Sequence, residues 1–168
     1  MTDTGNFRYA NTDHEVLDAA GALIDVGVAY AELTDRLQWR HPAYFQTLGR
    51  VMQTVRFALD GALVMADYTS EVRAGALAAE DDSDDFVGII RYAEGIKVAV
   101  LLKERDDVVK VSVRTRDGAS AQAICLELGG GGHVAAAGAT FRGTLRDAER
   151  AVVAATEREL RRRSVAAG

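Results

Sequence analysis

IKVAVLLKERDDVVKVSVRT, residues 96–115, holds two runs that read as neighbouring strands with different surroundings. IKVAVLLK (96–103) is almost continuously apolar, as a central strand covered on both faces should be. VVKVSVRT (108–115) alternates instead. Val109, Val111 and Val113 take one face, and Lys110, Ser112 and Arg114 take the other. Asp106-Asp107 between the runs is a turn signal, so the pair reads as an antiparallel hairpin. The polar face of the second run is the first place where residues capable of chemistry share a geometry.

The flanking segments supply the rest of a sheet and its helices. Upstream, Asp60-Gly61 marks a turn and ALVMADY (62–68) reads as a strand. Thr69 or Ser70 opens a helix reaching about Ala79, and Phe86, Val87, Ile89, Ile90 and Ala93 make a short helix ending at Gly95. The run Asp81-Asp82-Ser83-Asp84-Asp85 lacks the glycine and distal glutamate of a calcium loop and reads as a solvated helix start. Downstream, Gly118 closes the alternating strand and residues 119–128 form an apolar-striped helix. A short strand around 139–142 follows, and Thr144 caps a last helix to about Arg163. This order predicts an α/β (α+β) fold, a mixed sheet of about four to five strands with packed helices.

A helical linker precedes the sheet. Thr12 and Glu15 have capping-box spacing, and Val16, Leu17, Ala20, Leu23 and Ile24 share one helical face that ends at Gly27. A short helix carries Tyr30, Leu33 and Leu37. Pro42 then suits the first position of a longer helix striped by Tyr44, Phe45, Leu48, Val51, Met52 and Val55.

Composition bounds the function. The 168 residues are 48% hydrophobic and 27% charged, which is globular rather than disordered. No window approaches the ~18 apolar residues of a membrane span, and MTDTGNFRYA lacks a secretory apolar stretch, so a cytoplasmic protein with no membrane partner is expected. Cys125 is the only cysteine, which excludes an internal disulfide; Ile124 and Leu128 beside it point to a buried structural thiol. A net charge of −5 excludes a broad basic footprint for long duplexes but leaves room for a small basic pocket.

GGGGH (129–133) is the most unusual string. Such a run can turn successive amides into an anion nest, with the histidine donating to a phosphate oxygen. The plain alternative is a flexible connector with an exposed histidine. If Gly131 needs a positive φ, Gly131→Val harms folding as well as binding. Neither GxxxxGK[ST] nor a strand-linked GxGxxG is present, so triphosphate and dinucleotide cofactors lack support. Arg114 ends the polar strand face only one helix before the glycines, and a strand–helix–loop return can bring its guanidinium to them. Its other reading is a surface arginine paired with an acid.

The segment from Lys110 to Gly143 resembles the C-terminal substrate-binding domain of the DHH phosphoesterase family, in its branch of short-oligonucleotide exonucleases (nano-RNases) and phosphoadenosine-phosphate phosphatases. A KVSxRS-like strand, a helix and GGGHxxAAG correspond to Lys110-Val-Ser-Val-Arg114-Thr and Gly130-Gly-Gly-His133-Val-Ala-Ala-Ala-Gly138. Thr2-Asp-Thr-Gly5 through Phe7-Arg-Tyr-Ala-Asn-Thr12 is similar to the TDTGxFRYSNT end of the family's catalytic domain. The resemblance implies three parts: a remnant of that domain at 1–10, a helical linker at 11–58 and the DHH-associated substrate-binding domain at 59–168.

It also implies a split enzyme. The family's manganese ions belong to an N-terminal domain that is not found before Asp3. Asp3 matches that domain's last metal-binding aspartate, and one carboxylate cannot hold a two-metal centre. The chain alone is then not catalytic, with the DHH catalytic domain as its partner and a homodimer through the linker helices left open. By the same resemblance Arg114, Gly130, Gly131, Gly132 and His133 hold a short oligonucleotide or nucleotide phosphate, and Arg116 is a secondary candidate. The expected function is substrate binding for a manganese-dependent phosphodiesterase acting on short oligonucleotides, phosphoadenosine phosphate or cyclic dinucleotides. The alternative is a non-catalytic nucleic-acid-binding or oligomerisation module, like the domain appended to alanyl-tRNA synthetase. Val134-Ala135 and Ser120-Ala-Gln122 depart from the family pattern and leave the preferred nucleotide open.

Overall fold

The computed structural model describes residues 4–7, 11–75, 83 and 85–166, which fall in two compact units, Met1–Arg40 and His41–Gly168. In the first unit, α1 (His14–Asp25) is followed by α2 (Tyr30–Gln38). Asp13 caps α1 through its Oδ1, which accepts from the Val16 N–H at 3.0 Å, one residue later than the Thr12 cap expected. Gly27, at φ +93°, ends the helix by letting the Val28 N–H reach the Leu23 carbonyl at 3.0 Å.

The second unit begins with α3 (Pro42–Met52), where Pro42 takes the first position and His41 Nδ1 accepts from the Ala43 N–H. Next come β1 (Arg56–Ala58), β2 (Leu63–Tyr68), α4 (Ser70–Ala74), α5 (Phe86–Ile90) and β3 (Val98–Arg105). The chain continues through β4 (Val108–Thr115), α6 (Ala121–Glu127), β5 (Gly131–His133), β6 (Ala136–Arg142) and α7 (Leu145–Ala166). The strands form one six-stranded sheet in the order β1-β2-β3-β4-β6-β5, parallel only between β2 and β3. The class is the mixed α/β sheet that the sequence predicts. The sheet has six strands where about four to five are expected, because β1 and β5, three residues each, are too short to show a period, and β5 is mostly glycine. The helix opened by Thr69 ends at Ala74, and its expected continuation to Ala79 lies outside the described residues, as do Asp81, Asp82 and Asp84.

The two faces of the sheet are covered differently. On one, Val98, Val100, Leu102, Val109, Val111 and Val113 pack against Ile124 and Cys125 of α6 and Ala148, Val152 and Ala155 of α7. On the other, Val64, Ala66, Tyr68, Ala99 and Leu101 pack against Tyr44 and Val51 of α3 and Phe86, Val87 and Ile90 of α5. Among the described residues, that second hydrophobic cluster draws on β2 and β3 and includes no side chain of β4, β5 or β6, although α5 also lies against β4. Phe45, expected in the apolar stripe of α3, is instead 58% exposed. Arg56 ties the hairpin to α7 through paired bonds to Glu149 at 3.0 and 2.9 Å and a contact with Asp67 at 3.0 Å.

Candidate functional site

Strand register brings the polar residues of β4 into rows across the β4–β6–β5 half of that face, because directly paired residues share a face. Arg114 pairs with Ala136, and Ala136 pairs with His133. Two strand spacings separate Arg114 from His133, roughly 10 Å between their Cα atoms, with one methyl group between them. Ser112, Gly138 and Gly131 form the next row, and Lys103, Lys110 and Thr140 the one after. Glycine and alanine keep the floor low between taller cationic side chains, so a ligand can lie against the backbone.

Arg114 is half-buried, and its Nη1 donates to the Val113 carbonyl at 3.0 Å. One donor of its fork is thereby spent on orientation, out of five. His133 is exposed, and its backbone is held from both sides. The preceding carbonyl, of Gly132, accepts from Gln122 Nε2 at 2.8 Å. The following carbonyl, of Val134, accepts from Thr115 Oγ1 at 3.0 Å and the Ala121 N–H at 2.7 Å. Neither Gln122 nor Thr115 is among the site candidates that the sequence offers. Their role depends on α6 returning beside β5, which no spacing encodes.

The glycine run differs from the expected anion nest. The amides of Gly129 and Gly130 donate to the Leu126 and Cys125 carbonyls at 3.1 and 2.8 Å, and Gly131–His133 is a strand paired with β6. Each glycine has its own reason. A Cβ on Gly130 would stand 2.2 Å from the Gly138 carbonyl oxygen. Gly132 has φ +141°, and a Cβ there would lie 2.6 Å from the Ala137 Cα. Gly131 has no positive φ, and its Cβ would meet nothing within 4 Å. Its missing side chain serves no packing need and leaves the floor beside Gly138 and Ser112 open.

Arg116 stands just beyond the last pair of β3 and β4, and its Nη1 donates to the Arg91 carbonyl at 3.3 Å. That bond anchors it to the end of α5, where Arg91 lies 5.2 Å over the exposed Tyr92 ring. Farther along β4, a groove of about 530 Å³ is lined by Lys103, Arg105, Lys110, Ser112, Gly130 and Thr140, among others. Lys110 Nζ donates to Thr140 Oγ1 at 2.8 Å. The alternation of β4 exposes Lys110 and Ser112 to a sequence reading, whereas Lys103 and Arg105 join them only through the register.

Cys125 is buried as expected, and burial pushes its thiol up to about 11 against the opposing charge of Arg114. A neutral buried thiol is a packing group. Among the described residues no group of three or more His, Cys, Asp and Glu could hold a metal ion, and Asp3 lies outside them. The described residues do not fit a two-metal centre. Among them, too, no helix is long and apolar enough to cross a membrane.

The family described as DHHA1 domain matches residues 68–161. The chain is 54% identical over 163 residues, 96% of its length, to the bifunctional oligoribonuclease and PAP phosphatase NrnA of Thermus thermophilus, of which it covers 49%. It is 30% identical over 140 residues, 83% of its length, to the protein of the same name from Bacillus subtilis, of which it covers 44%. The chain thus spans about half the length of the curated relatives it matches. Among solved structures, an exopolyphosphatase-related protein from Bacteroides fragilis superposes with a TM-score of 0.87 at 24% identity, over 94% of this chain and 47% of that one, a likeness of fold.

Proposed function

This chain belongs to the DHHA1 domain family, and from that premise we propose that its open sheet half is the substrate-binding surface of a phosphodiesterase acting on short oligonucleotides, phosphoadenosine phosphate or cyclic dinucleotides. The observation that carries the reading is the row Arg114–Ala136–His133, a guanidinium and an imidazole flanking one methyl group beside a floor of glycine. Arginine grips a phosphate with two parallel N–H donors, and histidine adds a third from the other side. Gly130 and Gly132 let β5 lie close on β6, and Gly131 leaves the space above it free for the ligand.

In this reading the chain orients and does not cleave. Holding the terminal phosphate and nucleotide fixed aligns the scissile bond, which lowers a barrier through positioning rather than proton transfer. A manganese centre in a separate catalytic domain would supply an activated water in the complete enzyme. The similarity to proteins named oligoribonuclease and PAP phosphatase supports both parts of the proposal.

The test is a titration of the chain with a dinucleotide monophosphate and with adenosine bisphosphate, following imidazole signals by NMR. Saturable shifts at His133, with His14 and His41 unmoved, are expected. Unchanged His133 signals at millimolar ligand would overturn the proposal that this surface binds substrate by itself.

A further inference from the structure

One aromatic ring near the Arg114–His133 row stands outside the core. Tyr92 is 52% exposed, although the backbone that carries it is fixed. The amides of Arg91, Tyr92 and Ala93 donate to the Val87, Ile89 and Ile90 carbonyls at 3.1 Å each, so the turn continues directly from α5. Ile90 before it and Ile96 after it are buried in the cluster that α5 shares with β2 and β3. A ring held out to solvent on an anchored turn loses little freedom when a ligand stacks on it.

Two arginines complete its surroundings. The Arg91 guanidinium lies 5.2 Å over the ring, and its Nη2 donates to the Tyr92 hydroxyl at 3.4 Å. Arg116 joins them through its 3.3 Å bond to the Arg91 carbonyl. These interactions are satisfied within the chain, and what they build is a flat surface rather than a charge in want of a partner. Aromatic rings and guanidinium planes are the surfaces on which proteins stack unpaired bases.

Register ties this surface to the phosphate site. The Arg116 N–H donates to the Lys97 carbonyl at 3.0 Å, which extends the β3–β4 ladder by one pair beyond Thr115. Arg116 therefore falls on the Arg114 face, two residues on, roughly 7 Å at the usual rise of a strand. Six bonds separate the 5′-phosphorus of a nucleotide from its glycosidic nitrogen, about 7 Å at full extension with bond lengths near 1.5 Å. A nucleotide whose phosphate sits at Arg114 and His133 thus reaches Arg116 and Tyr92 with its base. The opposite direction along β4 leads to the row of Ser112, Gly138 and Gly131, which offers no ring.

We propose that Tyr92, backed by Arg91 and Arg116, is the stacking platform for the base of the bound nucleotide. The ligand selected is then a nucleoside phosphate, because an inorganic or sugar phosphate gains the phosphate contacts alone. The inference rests on the reading of Arg114 and His133 as the phosphate site, and it deepens that reading by naming what recognises the base.

Titration of the chain with adenosine 5′-monophosphate and with ribose 5-phosphate, followed by NMR, tests it. The wild type should bind the nucleotide about tenfold more tightly than the sugar phosphate, the value of one stacked base. The adenine H2 and H8 signals should move upfield under the tyrosine ring. Tyr92→Ala should lose both the advantage and the upfield shift, and Tyr92→Phe should keep both. Ribose 5-phosphate should bind the three proteins alike, with thermal midpoints near the wild-type value. Equal wild-type affinity for the two ligands, or an adenosine advantage that survives Tyr92→Ala, overturns the platform. Ribose 5-phosphate binding that is absent, or indifferent to Arg114→Ala, overturns the phosphate site instead. An adenine shift that depends on Tyr92 would then still show base stacking, so the two failures are distinguishable.

Discussion

β3 and β4 are adjacent strands of eight residues each, paired one to one along their whole length, and they have opposite uses. Six residues of β3 are buried in succession because helices cover both of its faces. In β4 only the valine face and Thr115 are buried, and among the described residues the hydrophobic cluster under α3 and α5 takes no side chain from β4. Leu101 and Ser112 show the difference within a single register pair: the leucine is fully buried and the serine lines an open groove. The proposed binding surface lies on that second half of the face, β4–β6–β5.

The sharpest way to break the comparison is to truncate both members of that pair. Leu101→Ala should destabilise the chain by about 2–5 kcal/mol, since it opens a cavity under α5. Ser112→Ala should change stability by no more than about 0.5 kcal/mol. Urea unfolding of the two variants checks this, and equal losses would mean that the open half is no less structural than the covered half.

The glycines divide along the same line. Gly132→Ala forces a side chain into a left-handed backbone and against Ala137, with an expected cost of about 1–3 kcal/mol. Gly131→Val should leave the unfolding midpoint near the wild-type value, because its Cβ has open space, and should weaken nucleotide binding by filling the floor. A thermal melt and a binding isotherm on each variant separate packing glycine from ligand glycine. This differs from the expectation that follows if Gly131 has a positive φ, because the positive values fall at Gly129 and Gly132.

Arg114→Ala should reduce mononucleotide affinity by roughly ten- to a hundredfold, equivalent to the ~1.5–3 kcal/mol of a charged hydrogen bond, with little change in the unfolding midpoint. His133→Ala should act in the same direction. Fluorescence competition with a labelled dinucleotide reads both, and wild-type affinity in the two variants would sink the site.

The smallest effect is electrostatic. The Ser70 N–H, at 2.9 Å, and the Ser70 hydroxyl hold the Glu104 carboxyl below its ordinary range, with Arg73 adding to the shift. A carboxylate lowered by folding contributes stability above its unfolded value, and that contribution is lost as pH falls through the folded value. Glu104→Gln should therefore flatten part of the acid limb of a stability–pH profile below about pH 4.5 and change little at neutrality. Denaturant midpoints from pH 3 to 7 check the sign, and an unaltered acid limb would remove Glu104 from the account.

Periodicity and punctuation made much of this architecture readable in one dimension. The valine alternation of β4, the unbroken apolar run of β3, Pro42 at the start of α3 and the buried Cys125 all express local rules that the chain obeys residue by residue. Arg114 and the glycine–histidine string were visible for the same reason, as residues unusual for their positions. Other features were not readable. β1 and β5 are too short to carry a period, and Asp13 rather than Thr12 caps α1, a choice between two adjacent capping residues that spacing does not make.

Alternation along the chain already shows which strand is polar on one face and where its cationic side chains stand. Strand pairing and helix packing are what place Arg114 and His133 in one row, set Gln122 and Thr115 on the carbonyls beside the histidine, and put Lys103 opposite Lys110. The physical reason is that a side chain's face is set by its own strand's two-residue period, whereas its neighbours are set by register with strands elsewhere in the chain. Register comes from packing the whole sheet against its helices, and local sequence does not encode it.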